Sequence, residues 1–116
     1  MAAMLRHTTI NRAVCAAAAG DPALLATDLA DYLVRKGMPF RQAHHIVGAV
    51  VALAEKTRRP LNKLSLAQLQ SVDKALGPDA PGVFNLQDAM AKRNLTGAPG
   101  TKEVAKQLAH WRKQLS

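Results

Sequence analysis

Two adjacent histidines, His44 and His45, are the side chains of this chain most easily mistaken for a metal site. Imidazole nitrogens bind zinc well, but adjacent residues of a helix point about 100° apart, so the two rings cannot chelate one ion from the same face. Neither histidine has a Cys, Asp or Glu three or four residues away. We therefore predict no metal site here, with one histidine partly buried and hydrogen-bonded and the other at the surface.

The acidic and nucleophilic side chains form no catalytic set. Asp28 and Asp31 lie in the first turn of a predicted helix, where capping and the helix dipole account for them. Cys15 is predicted to be a small apolar residue of an alanine-rich helix, and the isolated His7 and His110 to be structural. The sequence contains no Ser–His–Asp set, glycine-rich phosphate loop or H-E-x-x-H motif. We predict no catalytic, cofactor-binding or metal-binding residue in this chain.

The elements that carry these residues are predicted to be helices throughout. Alanine and leucine dominate, only 3% of the residues are aromatic, and apolar residues recur at helical rather than alternating spacing. A chain of 116 residues is long enough to hold a core without disulfides or metals. We expect an all-α protein, a small bundle of about five helices joined by short Pro/Gly-rich connections and forming one compact unit.

The clearest helix signals lie in the first half of the chain. A helix is predicted from Thr27 to Lys36, acidic at its start, basic at its end and followed by Gly37. Pro39 suits the first turn of the next helix. Apolar residues at i, i+3, i+4 and i+7 spacing predict the buried face of that next helix, comprising Ala43, Ile46, Val47, Val50, Val51, Leu53 and Ala54.

The second half of the chain has three further predicted helices. Ser65 and Gln68 form a capping-box pattern at the start of the first, which should run through Leu76 to Gly77–Pro78. A Pro/Gly-rich connection over residues 77–82 precedes the second, and the loop 96–100 precedes the third. The second is expected from about Gln87 to Arg93 and the third from about Thr101 to Leu115.

The net charge of +8 and a pI near 10.3 are typical of nucleic-acid binders, but the cations are scattered. They occur as pairs near predicted helix ends, where they complement the helix dipole, and no stacking aromatics interleave with them. A nucleic-acid partner is therefore the least favoured hypothesis.

The sequence indicates neither a membrane partner nor an oxidising compartment. No window approaches the ~20 apolar residues of a membrane span, so we expect no membrane partner. A lone cysteine favours a reducing, cytoplasmic location.

The stretch from Leu24 to Val51, LLATDLADYLVRKGMPFRQAHHIVGAVV, resembles the C-terminal domain of argininosuccinate lyase, a family of the aspartase/fumarase superfamily. Met4 to Ala19 resembles the end of the long helical segment that precedes this domain. Residues 88–108 resemble the closing S-V-x-x-R-x-x-x-G-G-T-A-P-x-x-V-x-x-Q pattern more loosely, since TGAPGT replaces its centre. The resemblance implies two parts, an N-terminal helix over residues 1–20 and a C-terminal-like helical domain over residues 21–116.

The resemblance further implies an all-helical domain beside the central bundle of a homotetrameric lyase that splits argininosuccinate into arginine and fumarate. The flexible-loop signature G-S-S-x-M-P-x-K-x-N-P is absent from this sequence, and the catalytic Ser and His of the family lie outside the matching region. No catalytic residue is carried over, and we expect no lyase activity from this chain alone. The expected role is a non-catalytic interaction module linked to arginine biosynthesis, and the alternative is one part of a split lyase.

Association is expected on either hypothesis. If the first segment, residues 1–20, has the same place as in the family, its apolar residues lack the neighbours that a lyase body would provide. These residues are Leu5, Ile10, Val14 and the alanines. Large contiguous apolar patches rarely stay bare on a monomer. We expect a homodimer, with the first helix as a candidate for exchange between chains, or binding to a lyase-like catalytic partner.

Overall fold

The computed structural model describes all 116 residues, with the side chain of Ala2 left out. Its seven α-helices are α1 (Ala2–Arg6), α2 (Arg12–Ala19), α3 (Ala26–Arg35), α4 (Phe40–Thr57), α5 (Leu66–Val72), α6 (Leu86–Ala91) and α7 (Thr101–Leu115). Short 3-10 helices occupy Pro22–Leu25, Leu61–Lys63 and Ala80–Phe84. No strand occurs in the described backbone, and five of the α-helices have seven residues or more. The predicted small all-α bundle is therefore confirmed.

A tight connection between α3 and α4 organises the bundle. Gly37 has φ of +92°, the left-handed conformation that glycine adopts without strain. Its N–H donates to the Val34 carbonyl, and the Met38 N–H donates to the Leu33 carbonyl, which together form a Schellman motif. Pro39 is the N-cap residue, immediately before the first turn of α4. The predicted helix ends at Lys36 and Pro39 are thus correct to within one residue.

The hydrophobic core lies between the facing sides of α3 and α4 and extends to the elements that follow. In α4 the predicted stripe is buried at five positions, while Val51 and Leu53 are half-buried at its margin. Burial at helical spacing removes one continuous apolar face from water, which is the main stabilising contribution to such a bundle. The buried core comprises Leu25, Leu29, Ala30, Leu33, Ala43, Ile46, Val47, Val50, Ala54, Leu61, Leu64, Leu69, Leu76, Ala80, Phe84 and Ala89.

Helix α5 begins as predicted but ends earlier. The Gln68 N–H donates to Ser65 Oγ at 3.2 Å, and the Ser65 N–H donates to Gln68 Oε1 at 3.0 Å, which confirms the capping box. The expectation that the helix continues through Leu76 is wrong, because Asp73 is extended and its Oδ1 accepts the Ala75 N–H at 2.7 Å. Short acidic side chains compete with the helix for backbone donors in this way. Leu76 is buried all the same, from a turn.

The boundaries of α6 differ from the prediction by one or two residues. Asn85 caps α6 by accepting the N–H groups of Gln87 and Asp88, so α6 begins at Leu86 and ends at Ala91, before Arg93. The Pro/Gly-rich connection leads into the 3-10 helix Ala80–Phe84, which the sequence did not indicate. Helix α7 has the predicted bounds.

The first segment is two helices rather than one. Residues 7–11 separate α1 from α2, and the Asn11 side chain accepts the Val14 N–H at 3.1 Å to start the second. The β-branched Thr8 and Thr9 lie in this break, where helix propensity is low. No described side chain of residues 1–20 is buried.

The molecule is elongated, measuring 56 × 30 × 22 Å with a radius of gyration of 18.0 Å. A compact chain of this length would have a radius of about 13 Å. Its accessible surface is 8909 Å², whereas a compact monomer of 12.4 kDa exposes roughly 6,100 Å². The excess surface is consistent with terminal helices that are not packed against the core.

Candidate interaction surface

The paired histidines are both exposed, so the prediction that one of them is partly buried and hydrogen-bonded is wrong. Ala43, Ile46 and Val47 take the buried positions of this part of α4, which turns His44 and His45 outward. The His44 ring lies 6.0 Å from the Phe40 ring, tilted by 46°. Among the side chains that the structure describes, no three His, Cys, Asp or Glu residues are grouped so as to hold a metal ion.

The other singled-out side chains are also at the surface. Cys15 is exposed on α2, and His7 follows α1 in the exposed first segment. His110 lies edge-on to Trp111, with ring centroids 5.3 Å apart. The structure does not bring these residues together.

Asp28 has a partner that its helix position did not reveal. Its Oδ2 lies 3.0 Å from Arg93 Nη2, in an ion pair whose carboxylate is only 20% exposed. The predicted capping role is wrong, because no side chain caps the start of α3 and Asp31 lies beyond its first turn; Asp28 instead ties the start of α3 to the segment that follows α6. A polar cleft of about 130 Å³ surrounds the pair and is also lined by Asp31, Arg35 and Lys92. The partners are 65 positions apart in the sequence, so no local pattern reveals this contact.

A second polar cluster, formed by Tyr32, Lys36 and Asp79, joins α3 to the turn after α5. Tyr32 Oη donates to Asp79 Oδ1 at 2.6 Å, while it accepts from Lys36 Nζ and from the Gly77 N–H at 3.2 Å. Lys36 Nζ also lies 3.2 Å from Asp79 Oδ1. A Cβ at Gly77 would lie 2.7 Å from Asp79 Oδ1, so a larger residue here would have to displace the Asp79 carboxylate. The cluster thus joins three side chains and one backbone N–H within the domain.

The charges of this cluster support one another. The pKa of Asp79 is lowered, first by the hydrogen bond from Tyr32 and then by the one from Lys36. The pKa of Lys36 is raised, first by its hydrogen bond to Tyr32 and then by Asp79, with partial desolvation opposing the rise. Both shifts favour the charged forms, as expected of a structural ion pair.

The basic pairs lie at or beside helix C-termini, as predicted. Lys36, Arg58 and Lys92 are the C-cap residues of α3, α4 and α6, and Arg112 and Lys113 lie in the last turn of α7. Cations at these positions stabilise the negative ends of the helix dipoles. The distribution assigns most of the basic pairs a structural role.

Apolar side chains that nothing covers lie at both ends of the chain. In the first segment Met4, Leu5, Ile10 and Val14 are all more than 60% exposed, which bears out the expected lack of neighbours. Helix α7 adds a second uncovered face, formed by Val104, Leu108, Trp111 and Leu115. The sequence reasoning missed this second face, although the spacing of four, three and four residues could have indicated it.

An apolar groove runs along α3 and α4. Its volume is about 270 Å³, and small residues form much of its lining: Ala26, Thr27, Ala30, His44, Val47, Gly48 and Val51. A Cβ built on Gly48 would meet nothing within 4 Å, so the groove is open at that point. Small residues allow the backbone of a partner helix to approach closely.

No single helix of the described residues is long and apolar enough to span a membrane. The bent pair Arg12–Ala19 and Pro22–Arg35, which meet at 46°, reaches that length and apolarity only when taken together. The second of these segments carries Leu25, Leu29 and Leu33, which belong to the core.

Comparisons with known proteins agree with the resemblance. Residues 23–91 match the profile of the argininosuccinate lyase C-terminal family. The chain is also 43% identical over 117 residues to argininosuccinate lyase 1 of Mesorhizobium japonicum, a match that covers 100% of this chain and 25% of that protein. The chain thus spans about a quarter of the length of this relative, and the match includes the exposed terminal helices as well as the core. The chain belongs to the argininosuccinate lyase C-terminal family.

Proposed function

We propose that this domain is a non-catalytic packing module that completes an argininosuccinate lyase-type assembly in arginine biosynthesis. The observation that carries the proposal is the uncovered apolar face of residues 1–20, in a chain whose family membership is shown. The relative that spans four times this length carries the same segment within a longer chain. A lyase body of helices is therefore the partner that fits this face.

The surface area supports a large interface. The excess over a compact monomer of this mass is roughly 2,800 Å², a size typical of obligate assemblies rather than transient encounters. Helix α2 presents Val14 and a run of alanines, which lets a neighbouring helix approach closely. The only charge within α2 is Arg12, at its first residue, so little desolvation of charged groups opposes packing.

The chemistry of the described side chains supports a non-catalytic role. Transition-state stabilisation needs an acid or base positioned beside a substrate. The two polar clusters built across distant segments, Tyr32–Lys36–Asp79 and Asp28–Arg93, have their partners within the domain. Each ties α3 to a later segment of the domain, which suits a rigid module.

The split-lyase alternative makes a distinct prediction, since this chain would then restore activity to a body that lacks it. The test is fumarate release from argininosuccinate by the chain alone and by the chain mixed with a lyase body deprived of its C-terminal domain. We expect no activity from the chain alone; activity only in the mixture would establish the split-lyase alternative, whereas binding to the lyase body without activity would support the packing module. Activity of the chain alone would overturn the proposal.

A matched pair of variants separates docking from mere presence of the chain. Val14→Asp places a charge in the middle of the exposed α2 face, whereas Lys63→Asp alters an exposed residue of the Leu61–Lys63 turn. We expect Val14→Asp to weaken binding to the lyase body at least tenfold and Lys63→Asp to leave it unchanged. Equal effects of the two would show that α2 does not form the contact.

Self-association is the second candidate, because the same α2 face can pack on a second copy. A homodimer with the first helices exchanged would cover that face without a lyase body. Light scattering on the purified chain tests this candidate, and a monomer at high concentration would exclude it. We also propose a cytoplasmic location, on the basis of the lone exposed Cys15.

A further inference from the structure

Helix α7 carries an apolar stripe with coiled-coil spacing. Val104, Leu108, Trp111 and Leu115 follow one another at intervals of four, three and four residues, which corresponds to heptad positions d, a, d and a. Their exposed fractions rise along the helix, from 42% at Val104 to 83% at Leu115. The domain itself covers little of this stripe.

The start of α7 is held firmly while the stripe projects. A Cβ at Gly100 would lie 2.2 Å from the Arg93 carbonyl oxygen, so the chain enters α7 pressed against the end of α6. Glu103, in the first turn, is 7% exposed and pairs with Lys106 at 2.6 Å. These contacts set the direction of a helix about 22 Å long.

The charges of α7 indicate what kind of partner fits. With Leu108 and Leu115 at a, Lys106 and Lys113 occupy f positions and Lys102 a b position, on the side opposite the stripe. Cations that served an acidic partner or an anionic membrane would flank the stripe instead. Of the residues at the flanking e and g positions, only Arg112 is charged; the others, Ala105, Gln107 and Gln114, are neutral.

We propose that α7 pairs antiparallel with α7 of a second copy of this chain. A two-fold pair of this kind places Leu108 against Trp111 of the second copy and Val104 against its Leu115, so large side chains face smaller ones. It places the g-position Gln107 beside Gln114 of the second copy, where two amides can exchange hydrogen bonds. Antiparallel helix dipoles also attract, and no lysine lies next to another across the seam.

The area sets the expected strength. A stripe of a few hundred Å² on each chain buries, in a pair, less than the about 1,200 Å² of a stable interface. The dimer is therefore expected to be weak, with a dissociation constant on the order of 100 µM. Chains held close by a larger assembly have an effective concentration on the order of millimolar, at which this contact forms. The inference does not depend on the proposed lyase function.

The test uses the full chain in sedimentation velocity from about 10 µM to about 1 mM, together with the fluorescence of Trp111. Trp111 is the single tryptophan and is 57% exposed, so dimerisation should shift its emission to the blue as concentration rises. We expect Leu108→Glu to abolish the dimer and the shift. A monomer throughout the range, or a dimer that Leu108→Glu leaves intact, would overturn the proposal.

Two controls keep the result specific. Lys102→Gln changes the net charge by the same amount on the opposite side of α7, and Val14→Asp disrupts the α2 face; both should leave the α7 dimer unchanged. Circular dichroism should show the same helix content for Leu108→Glu as for the parent. In a Cys15→Ser background, a Val104→Cys chain should cross-link with a Leu115→Cys chain, and self-cross-linking of Leu115→Cys would contradict the antiparallel order.

Discussion

Tyr32 shows what a single residue contributes beyond its place on a helix. Tyr32 lies on α3 and packs partly against the core. Its hydroxyl partners, Gly77 and Asp79, lie 45 and 47 residues away, so local patterns cannot identify them. Likewise, the place of Asp28 in the first turn of α3 is predicted from sequence, whereas its ion pair with Arg93 is not.

The polar cluster of Tyr32, Lys36 and Asp79 should make the stability of the domain fall in strong acid and in strong base. The pKa of Asp79 is lowered from 3.8, so its contribution is present above that value and is lost as pH falls through the lower, folded-state pKa. The pKa of Lys36 is raised from 10.5, so its contribution is complete below that value and is lost as pH rises through the folded-state pKa. We expect Asp79→Asn to be less stable than the parent near neutrality and to approach it in strong acid.

Urea denaturation at a series of pH values measures this difference. Asp31→Asn is the control, because Asp31 is an exposed carboxylate of the same helix as Tyr32 and Lys36. Its effect should vary less with pH than that of Asp79→Asn. A difference between Asp79→Asn and the parent that stays constant from acid to neutral pH would rule out the ion pair as its cause.

The predictions for individual helices succeed where the boundary chemistry is local. Gly37, Ser65 and Gln68 act within a few residues of their own backbone, so their patterns suffice to place the ends of α3 and the start of α5. The prediction for the end of α5 fails because Leu76 continues the apolar spacing of the helix. The helix nevertheless ends before Asp73, whose Oδ1 accepts a hydrogen bond from the Ala75 N–H. Tertiary burial of Leu76 hides the break from any count of spacing.

Substitution by alanine should change the stability of the domain in opposite directions at Gly48 and at Gly100. Gly48 is exposed within α4 with nothing within 4 Å of a built Cβ, so Gly48→Ala should stabilise the domain by about 0.5–1 kcal/mol. A Cβ at Gly100 meets the Arg93 carbonyl at 2.2 Å, so Gly100→Ala must displace the start of α7. Thermal unfolding should show a higher midpoint for the first and a lower one for the second. A common sign for both would contradict the described entry into α7.

At the scale of the whole molecule, the chain divides into a self-contained core and terminal helices that project from it. The sequence predicts the part of the core that α4 contributes, because the apolar residues of that helix recur at helical spacing. It also predicts the uncovered first segment by resemblance. It does not predict the uncovered face of α7, because an apolar stripe looks the same in sequence whether its own domain or a partner covers it.

This division predicts how the chain unfolds. Residues 1–20 contribute no described side chain to the core, so their removal should change the free energy of unfolding by about 0.5 kcal/mol or less.

Val47→Asp should prevent cooperative unfolding, because Val47 is 7% exposed in the core and an aspartate there would be a buried, unpaired charge. Lys63→Asp, at an exposed position, should behave as the parent does. Urea unfolding followed by circular dichroism measures all three, and a large loss of stability on removing residues 1–20 would mean that the first segment belongs to the folded unit.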